Sequence, residues 1–313
     1  GYLSPAEYPK IKNPEKQRLW TANSRVVGGK MYQQHGNGGY ALGARSQQIK
    51  NKLFAKSSFD EKDLLAIALD DEAIFLQRWQ KFLLKKVLTN STIAIHPQWQ
   101  EVHDIVNVEK LKASTDSVAY ALVRNFRLNL RDSVFKHFNE TLKAFDKSYE
   151  FHTIRHQIET PLWHLINTQP NDFVGIAKEE WSTVFEHALE VTIADMTSEY
   201  PLKKATWGKQ NTSHIQHPLS KEVPFISHWF DMPKSELAGD SYMPRIQGTT
   251  FGASQRMIVS PGHEQTGILH MPTSQAGHPW SPYYGLGHKD WEQGKPSPFL
   301  PGKTKYTLTL HSY

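Results

Sequence analysis

The hydrophobic pattern is strongest in the middle of the chain, between residues 46 and 200. Within the segment 115–145, apolar residues recur every four positions, which is the spacing of one face of a helix. These positions are Val118, Leu122, Phe126, Leu130, Val134, Phe138 and Leu142. The pattern predicts one long amphipathic helix over 115–145, with Thr115 as its N-cap because threonine is a favoured capping residue.

Two other stretches of this middle region also have helical spacing. The segment 57–88, SSFDEKDLLAIALDDEAIFLQRWQKFLLKKVL, starts with a Ser-x-x-Asp/Glu capping pattern. It predicts two helices that break near Asp70 and Asp71. The segment 178–197, KEEWSTVFEHALEVTIADMT, predicts a further helix.

The two ends of the chain carry strand-like patterns instead. They are RLWTA at 18–22 near the start, and QRMIVS at 255–260, TGILHM at 266–271 and KYTLTLHSY at 305–313 towards the end. The last of these alternates between polar and apolar residues, as a half-buried strand does. Strand-forming ends around a helical middle predict an α+β fold, in which the ends pair and 46–200 is a helical insertion.

Composition narrows the possible partners. The chain has 313 residues, of which 38% are hydrophobic and 12% aromatic, so it can bury a sizeable core. The net charge is +5, but basic residues are dispersed, whereas nucleic-acid binding needs them clustered on one face. No nucleic-acid partner is therefore expected. No apolar run approaches the roughly 20 residues of a membrane span, and the absence of cysteine excludes disulfides and thiolate chemistry.

Short motifs for chemistry are weak in this sequence. His152 and His156 have the spacing of a metal pair, with His164 nearby, but threonine follows the first histidine where a zinc protease carries its glutamate. A histidine-rich helix is favoured, and no metal site is predicted. The segment 301–305, PGKTK, lacks the first glycine of a phosphate-binding loop. A serine–histidine pair within 254–288 stays open, so the residue patterns alone do not identify a function.

Longer stretches resemble a known family. Residues 1–23, GYLSPAEYPKIKNPEKQRLWTAN, resemble a segment of the penicillin acylase family in which an Asn-Pro turn precedes a strand that ends in Ala-Asn. Four later stretches resemble family segments in the family order: WGKQNTSHIQHPLS (207–220), AGD (238–240), GASQRMIVS (252–260) and SQAGHPWSPYYGLGHKDWEQGKPSPFL (274–300). By this resemblance the chain is similar to the C-terminal portion of the family's large (beta) subunit.

The resemblance implies two catalytic positions. In the family, the asparagine at the end of that strand lies opposite the nucleophile and helps to form the oxyanion hole. An arginine 22 residues later contacts it near the substrate entrance. The matching residues are Asn23 and Arg45. Asn23 would donate its side-chain amide to the oxyanion, and Arg45 would orient Asn23 or attract a carboxylate-bearing substrate.

The resemblance also implies a fold and missing parts. The family belongs to the N-terminal-nucleophile hydrolases, whose core is an αββα sandwich. Residues 1–45 would form a core strand and active-site segment, 46–200 a large helical insertion, and 201–313 the C-terminal core strands. The family nucleophile is the first residue of the large subunit, and its α-amine serves as the base. Here Ser4 is internal. The nucleophile is therefore expected on a missing segment, with the alpha subunit and the N-terminal beta segment of the same precursor as partners.

The remaining expectations concern ligands and location. Family substrates are N-acyl compounds, either penicillin-type β-lactams or acyl-homoserine lactones, and the family implies a periplasmic or secreted protein. Some members bind calcium through an aspartate where this chain has Gln34, and Ser24 replaces a second asparagine. No cofactor is predicted, although calcium remains possible in the whole enzyme. The alternative, from another class, is a non-catalytic α+β binding or interaction domain.

Overall fold

The computed structural model describes residues 2–151, 157–173 and 175–312, and helices dominate it. Short 3₁₀ segments and one π-helical turn, Leu83–Val87, connect some of the helices. The α-helices, in chain order, are Gly29–His35 (α1), Ala44–Leu53 (α2), Glu61–Ala68 (α3), Gln77–Phe82 (α4), Asn90–Ile95 (α5), Trp99–Val106 (α6), Val118–Val134 (α7), Lys136–Phe145 (α8), Glu159–Thr168 (α9), Trp181–Thr197 (α10), Trp207–Gln210 (α11), Pro218–Glu222 (α12), Ser227–Phe230 (α13) and His288–Gln293 (α14).

The main core lies between α7 and α10, which pack along each other. Aromatic side chains fill it: the ring of Phe82 lies 5.1 Å from that of Phe185 and 6.5 Å from that of Phe126, centroid to centroid. Trp79 and Trp181 are fully buried in the same cluster. Each large side chain buried in this way contributes about 1.5–3 kcal/mol relative to an exposed one. The helical region therefore has a core of its own.

The predicted helix over 115–145 is two helices, α7 and α8. The backbone leaves the regular helix at Phe135 (φ −97°, ψ 7°). Four of the five ladder positions before this break are buried, whereas the two after it, Phe138 and Leu142, are only partly buried. Thr115 is not the cap, because Ser117 accepts the Tyr120 N–H at 3.1 Å. The carbonyl of Thr115 instead accepts the N–H of Gly208, which fixes it in a turn.

The other helix predictions are confirmed. The helix α3 ends at Ala68 and the next helical segment starts at Ile74, so the break near Asp70 and Asp71 is present. The cap of α3 is not a serine, since Asp60 and Asp63 form the reciprocal capping pair one turn later. The predicted helix over 178–197 is α10, with a 3₁₀ turn before it.

The one sheet in the described residues is an antiparallel pair, Arg256–Ile258 (β1) and Ile268–His270 (β2). Arg256 pairs with His270 and Ile258 pairs with Ile268. The helix α3 covers this pair, because Leu65 packs against Ile258 and Ile268 in a second small core. The strand predictions over 255–260 and 266–271 are therefore confirmed, and the helix-rich fold with a small sheet is α+β.

The strands predicted at the two ends do not form in the part of the chain that the structure describes. Residues 18–22 and 305–312 have no ladder partner among the described residues, and their large apolar side chains are exposed, with Leu19 at 61% and Leu308 at 85%. The predicted pairing of the two ends is likewise not present there. A strand forms only when a neighbouring backbone accepts and donates its hydrogen bonds. Its alternating pattern alone cannot supply that neighbour.

Candidate functional site

Asn23 lies at the end of the extended segment 18–22, in the left-handed backbone region (φ 61°). Asparagine tolerates this conformation better than most residues. The carbonyl of Asn23 accepts the N–H of Ala41 at 2.9 Å, and Ser24 forms a parallel bridge with Ala41. The backbone at Asn23 is therefore tied to the segment that leads into α2, while the Asn23 side chain stays exposed.

Arg45, the second residue of α2, holds the Asn23 side chain. Its Nη2 donates to Asn23 Oδ1 at 2.5 Å and to the carbonyl of Ala22 at 2.8 Å. The Nε of Arg45 is buried and has no partner among the described residues. Burial lowers the pKa of Arg45 below its ordinary value, but the guanidinium still carries its charge at neutral pH.

This contact fixes which way the Asn23 amide faces. Arginine has only donors, so the atom that faces Arg45 must be the carbonyl oxygen Oδ1. The Nδ2 group is then directed away from Arg45, and no described residue accepts a hydrogen bond from it. An oriented and exposed amide N–H can stabilise an oxygen that becomes negatively charged.

A cavity of about 400 Å³ lies beside this pair, and we call it the arginine cavity. Arg45 forms part of its wall, together with three arginines of α7 on one helical face, Arg124, Arg127 and Arg131. Glu159, the first residue of α9, also lines it. Basic groups therefore outnumber acidic ones along its wall.

Carboxylates from distant parts of the chain hold two of these arginines. Glu159 accepts from Arg127 Nε at 3.0 Å and Nη2 at 2.6 Å, and its other oxygen accepts from Arg78 and from Trp79 Nε1. Asp240 accepts from Arg124 Nε at 2.6 Å. Burial would lower the pKa of Arg124 and of Arg127, but the neighbouring negative groups raise both above the ordinary arginine value.

A second cavity, of about 450 Å³, shares Ala41 and Leu42 with the arginine cavity. Its wall is mainly polar, with side chains such as those of Ser24 and Arg25, and the aromatic residues Trp20, Tyr32 and Tyr40 also line it. The segment that ties down Asn23 through Ala41 therefore borders both cavities.

The sequence reasoning missed the three arginines of α7 and Glu159. A signal was present, because Arg124, Arg127 and Arg131 are spaced by three and four residues beside the apolar ladder of the predicted amphipathic helix. Charged residues are almost never fully buried without a partner. No comparable spacing in the sequence pointed to Glu159, which lies 32 residues after Arg127.

The other candidate groups are placed differently. His152 and His156 lie outside the described residues. In the described part of the chain, no three histidine, cysteine or acidic side chains are grouped so as to hold a metal ion. Gln34, at the position of the family's calcium ligand, is an exposed residue of α1.

The histidines of the 254–288 segment that are buried have structural partners. His270 Nε2 bonds to the carbonyl of Lys295 at 2.7 Å, and His288 Nδ1 bonds to the carbonyl of Pro272 at 2.7 Å. Burial lowers the pKa of His270, which favours its neutral form. Among the described residues, no serine hydroxyl is hydrogen-bonded to either of them.

Comparison with known proteins identifies the family. The sequence model of the family described as penicillin amidase matches residues 1–306. The chain belongs to the penicillin amidase family. It is also 23% identical, over 358 aligned positions, to the acyl-homoserine lactone acylase QuiP of Pseudomonas aeruginosa. That alignment covers 99% of this chain and 41% of the relative, so the chain spans less than half the length of the relative.

The penicillin amidase family consists of amide hydrolases, so the chain belongs to a family of amide hydrolases. No helix in the described ranges is both long and apolar enough to cross a membrane.

Proposed function

We propose that this chain supplies the oxyanion-hole asparagine of an enzyme that hydrolyses the amide bond of N-acyl compounds. The observation that carries the proposal is the Asn23 side chain, whose Oδ1 is held by Arg45 while its Nδ2 has no partner in the described chain. Membership of the penicillin amidase family supports the same reaction class.

In this mechanism the nucleophile comes from a segment outside the chain. The hydroxyl of an N-terminal serine attacks the amide carbonyl, and its own α-amine takes the proton. The carbonyl oxygen becomes an oxyanion, to which Asn23 Nδ2 donates. The amine leaves with a proton, and water then hydrolyses the acyl-enzyme. Arg45 keeps the Asn23 amide oriented, and its charge on Oδ1 polarises the amide so that Nδ2 becomes a better donor.

The proposal extends to the rest of the protein. The two ends of this chain would be strands of an αββα sandwich that is completed by the other parts of the precursor. Their exposed apolar side chains support this, since Leu19 in 18–22 and Leu308 in 305–312 have no cover in the described chain. The three-part division at residues 45 and 200 stays a prediction, as does a periplasmic or secreted location. Calcium would need ligands other than Gln34.

The substrates would be penicillin-type β-lactams or acyl-homoserine lactones. The name of the relative, an acyl-homoserine lactone acylase, supports the second group.

The deciding experiment is Asn23→Ala in the complete processed enzyme. Loss of one oxyanion donor lowers kcat by about 10²–10³-fold. The melting temperature should stay unchanged because the Asn23 side chain is exposed. Asn51→Ala is the matched control, since Asn51 is an exposed asparagine on α2 whose side chain accepts a hydrogen bond from Gln47.

Near-normal turnover in Asn23→Ala would remove Asn23 from the mechanism. Mass spectrometry of native material provides an independent test. If it shows this polypeptide without a companion chain that begins with Ser, Thr or Cys, the non-catalytic binding domain becomes the better explanation.

A further inference from the structure

The arginine cavity has an excess of positive charge. Five arginines line the cavity or share its carboxylates, namely Arg45, Arg78, Arg124, Arg127 and Arg131. They face three carboxylates, which belong to Glu159, Asp240 and Asp132. Two positive charges are therefore left without a negative partner among these groups. Because an enclosed charge is costly unless it is paired, the cavity is suited to an anion.

By this count, one excess charge belongs to Arg45 and the other to the pair Arg78 and Arg127, which share Glu159. The two arginines most available to a ligand are Arg45 and Arg131. Among the described residues, Arg45 has no carboxylate partner, and its hydrogen bonds go to the neutral oxygens of Ala22 and Asn23. Arg131 pairs with its sequence neighbour Asp132, whose side chain is 55% exposed. Exposed pairs of this kind are worth little, so Arg131 can exchange that partner for a ligand at low cost. Arg124 and Arg127, in contrast, are held by the buried Asp240 and Glu159.

The remainder of the wall indicates the kind of anion. Leu42, Leu76 and Leu128 contribute apolar surface, and Ser241 and Tyr242 contribute hydroxyl groups. A volume of about 400 Å³ falls within the range of small-molecule sites. Guanidinium groups match the planar carboxylate in a two-pronged geometry. A small organic acid with an apolar body therefore fits both the walls and the charge.

We propose that the arginine cavity binds a carboxylate of the substrate, so that the enzyme prefers anionic N-acyl compounds to neutral ones. This inference rests on the proposed function, because Arg45 belongs both to the cavity and to the Asn23 contact. The carboxylate can belong to the acyl half or to the amine half of the substrate. Acyl-homoserine lactones with an intact ring and an alkyl chain have none, so they would be the poorer substrates.

The test uses the complete processed enzyme and three substrates of similar size. The first carries a free carboxylate on the amine half, the second is its methyl ester, and the third carries a carboxylate on the acyl half instead. We expect kcat/KM to be about tenfold or more higher for one of the acids than for the ester, mainly through KM. The acid that shows the preference identifies which half enters the cavity.

The variant is Arg131→Gln, and Arg131→Lys is the charge-conserving companion. Arg131→Gln should lower kcat/KM for the preferred acid about tenfold and leave the ester unchanged, and Arg131→Lys should restore part of the loss. Lys143→Gln on α8 is the control, because it removes one exposed positive charge outside the cavity. If Arg131→Gln does not fold, the comparison of acids with ester in the unmodified enzyme decides alone.

The outcomes separate this inference from the proposed function. If acids and ester are hydrolysed equally well and Arg131→Gln changes all three equally, the cavity proposal is overturned and amide hydrolysis stands. If no amide is hydrolysed, the proposed function fails, and calorimetric binding of the acids and the ester decides about the cavity. Binding of an acid that Arg131→Gln abolishes would support the site. Equal binding of the acids and the ester, or no binding of either, would overturn the cavity proposal. A carboxylate of the companion chain that already occupies the cavity would overturn it as well.

Discussion

The helical region and the N-terminal segment differ in what holds their side chains in place. In the helical region, Phe126 and Trp181 are completely buried between α7 and α10. In residues 2–43, large side chains such as Leu19 and Val26 are exposed. The segment is tied to the rest of the described chain mainly through polar contacts, among them those made by Arg18 and Arg45.

The two regions differ because helices are stabilised by hydrogen bonds between residues near in sequence, whereas strands need a partner segment. A helix satisfies its backbone hydrogen bonds locally, so an amphipathic stretch needs only another apolar face to pack against. A strand needs a partner backbone, and residues 18–22 have none in the described chain. The proposed oxyanion donor, Asn23, thus lies in the region that depends most on other parts of the protein.

The largest effect is expected from a pair of substitutions that compares the two regions directly. Phe126→Ala removes a fully buried ring between α7 and α10, and such changes cost about 3–5 kcal/mol in the free energy of unfolding. Leu19→Ala removes an exposed side chain and should change that free energy by less than about 0.5 kcal/mol in this chain. Urea unfolding of the chain measures both. Equal costs would mean that the N-terminal segment is packed as tightly as the helical core.

The sequence predicted the elements whose determinants are local. The helix α10, the break before Ile74 and the β1–β2 pair all follow from the spacing of apolar residues and from nearby breakers. The long helix over 115–145 was predicted as one element because the apolar ladder continues past Phe135. The interruption there coincides with the point where the ladder leaves the tightly packed core. That depends on tertiary packing, which a periodic pattern does not contain.

The candidate site, like the fold, could be predicted from the sequence only in part. The positions of Asn23 and Arg45 came from the family resemblance, since a strand end and a helix start 22 residues apart carry no chemical signature of their own. The arginine cavity depends on Glu159 and Asp240, which reach α7 from 32 and 116 residues away. Side chains so distant in sequence meet only in the folded chain.

A smaller effect is expected from Arg45→Ala in the complete enzyme, which cuts the contact between the N-terminal segment and α2. Without Arg45, Asn23 loses its orienting partner but keeps its donor group. Turnover should therefore fall by about 10–10²-fold, less than for Asn23→Ala, since misplacement of a positioned group costs up to about 10²-fold. Arg45→Lys keeps a positive donor and should recover part of the rate. The measurement is kcat with the melting temperature as control. Unchanged kcat and KM in Arg45→Ala would exclude the positioning role.

The smallest effect concerns the start of α7 and compares two capping candidates. Ser117 Oγ accepts the N–H of Tyr120, a fully buried residue, so Ser117→Ala leaves that N–H without its acceptor. The expected loss is about 1 kcal/mol in the free energy of unfolding. Thr115→Ala should cost less than about 0.5 kcal/mol, because Thr115 contributes its backbone carbonyl to the Gly208 N–H and alanine keeps that carbonyl. Urea midpoints of the two variants decide between the residues. A larger loss for Thr115→Ala would mean that the helix begins where the sequence pattern placed it.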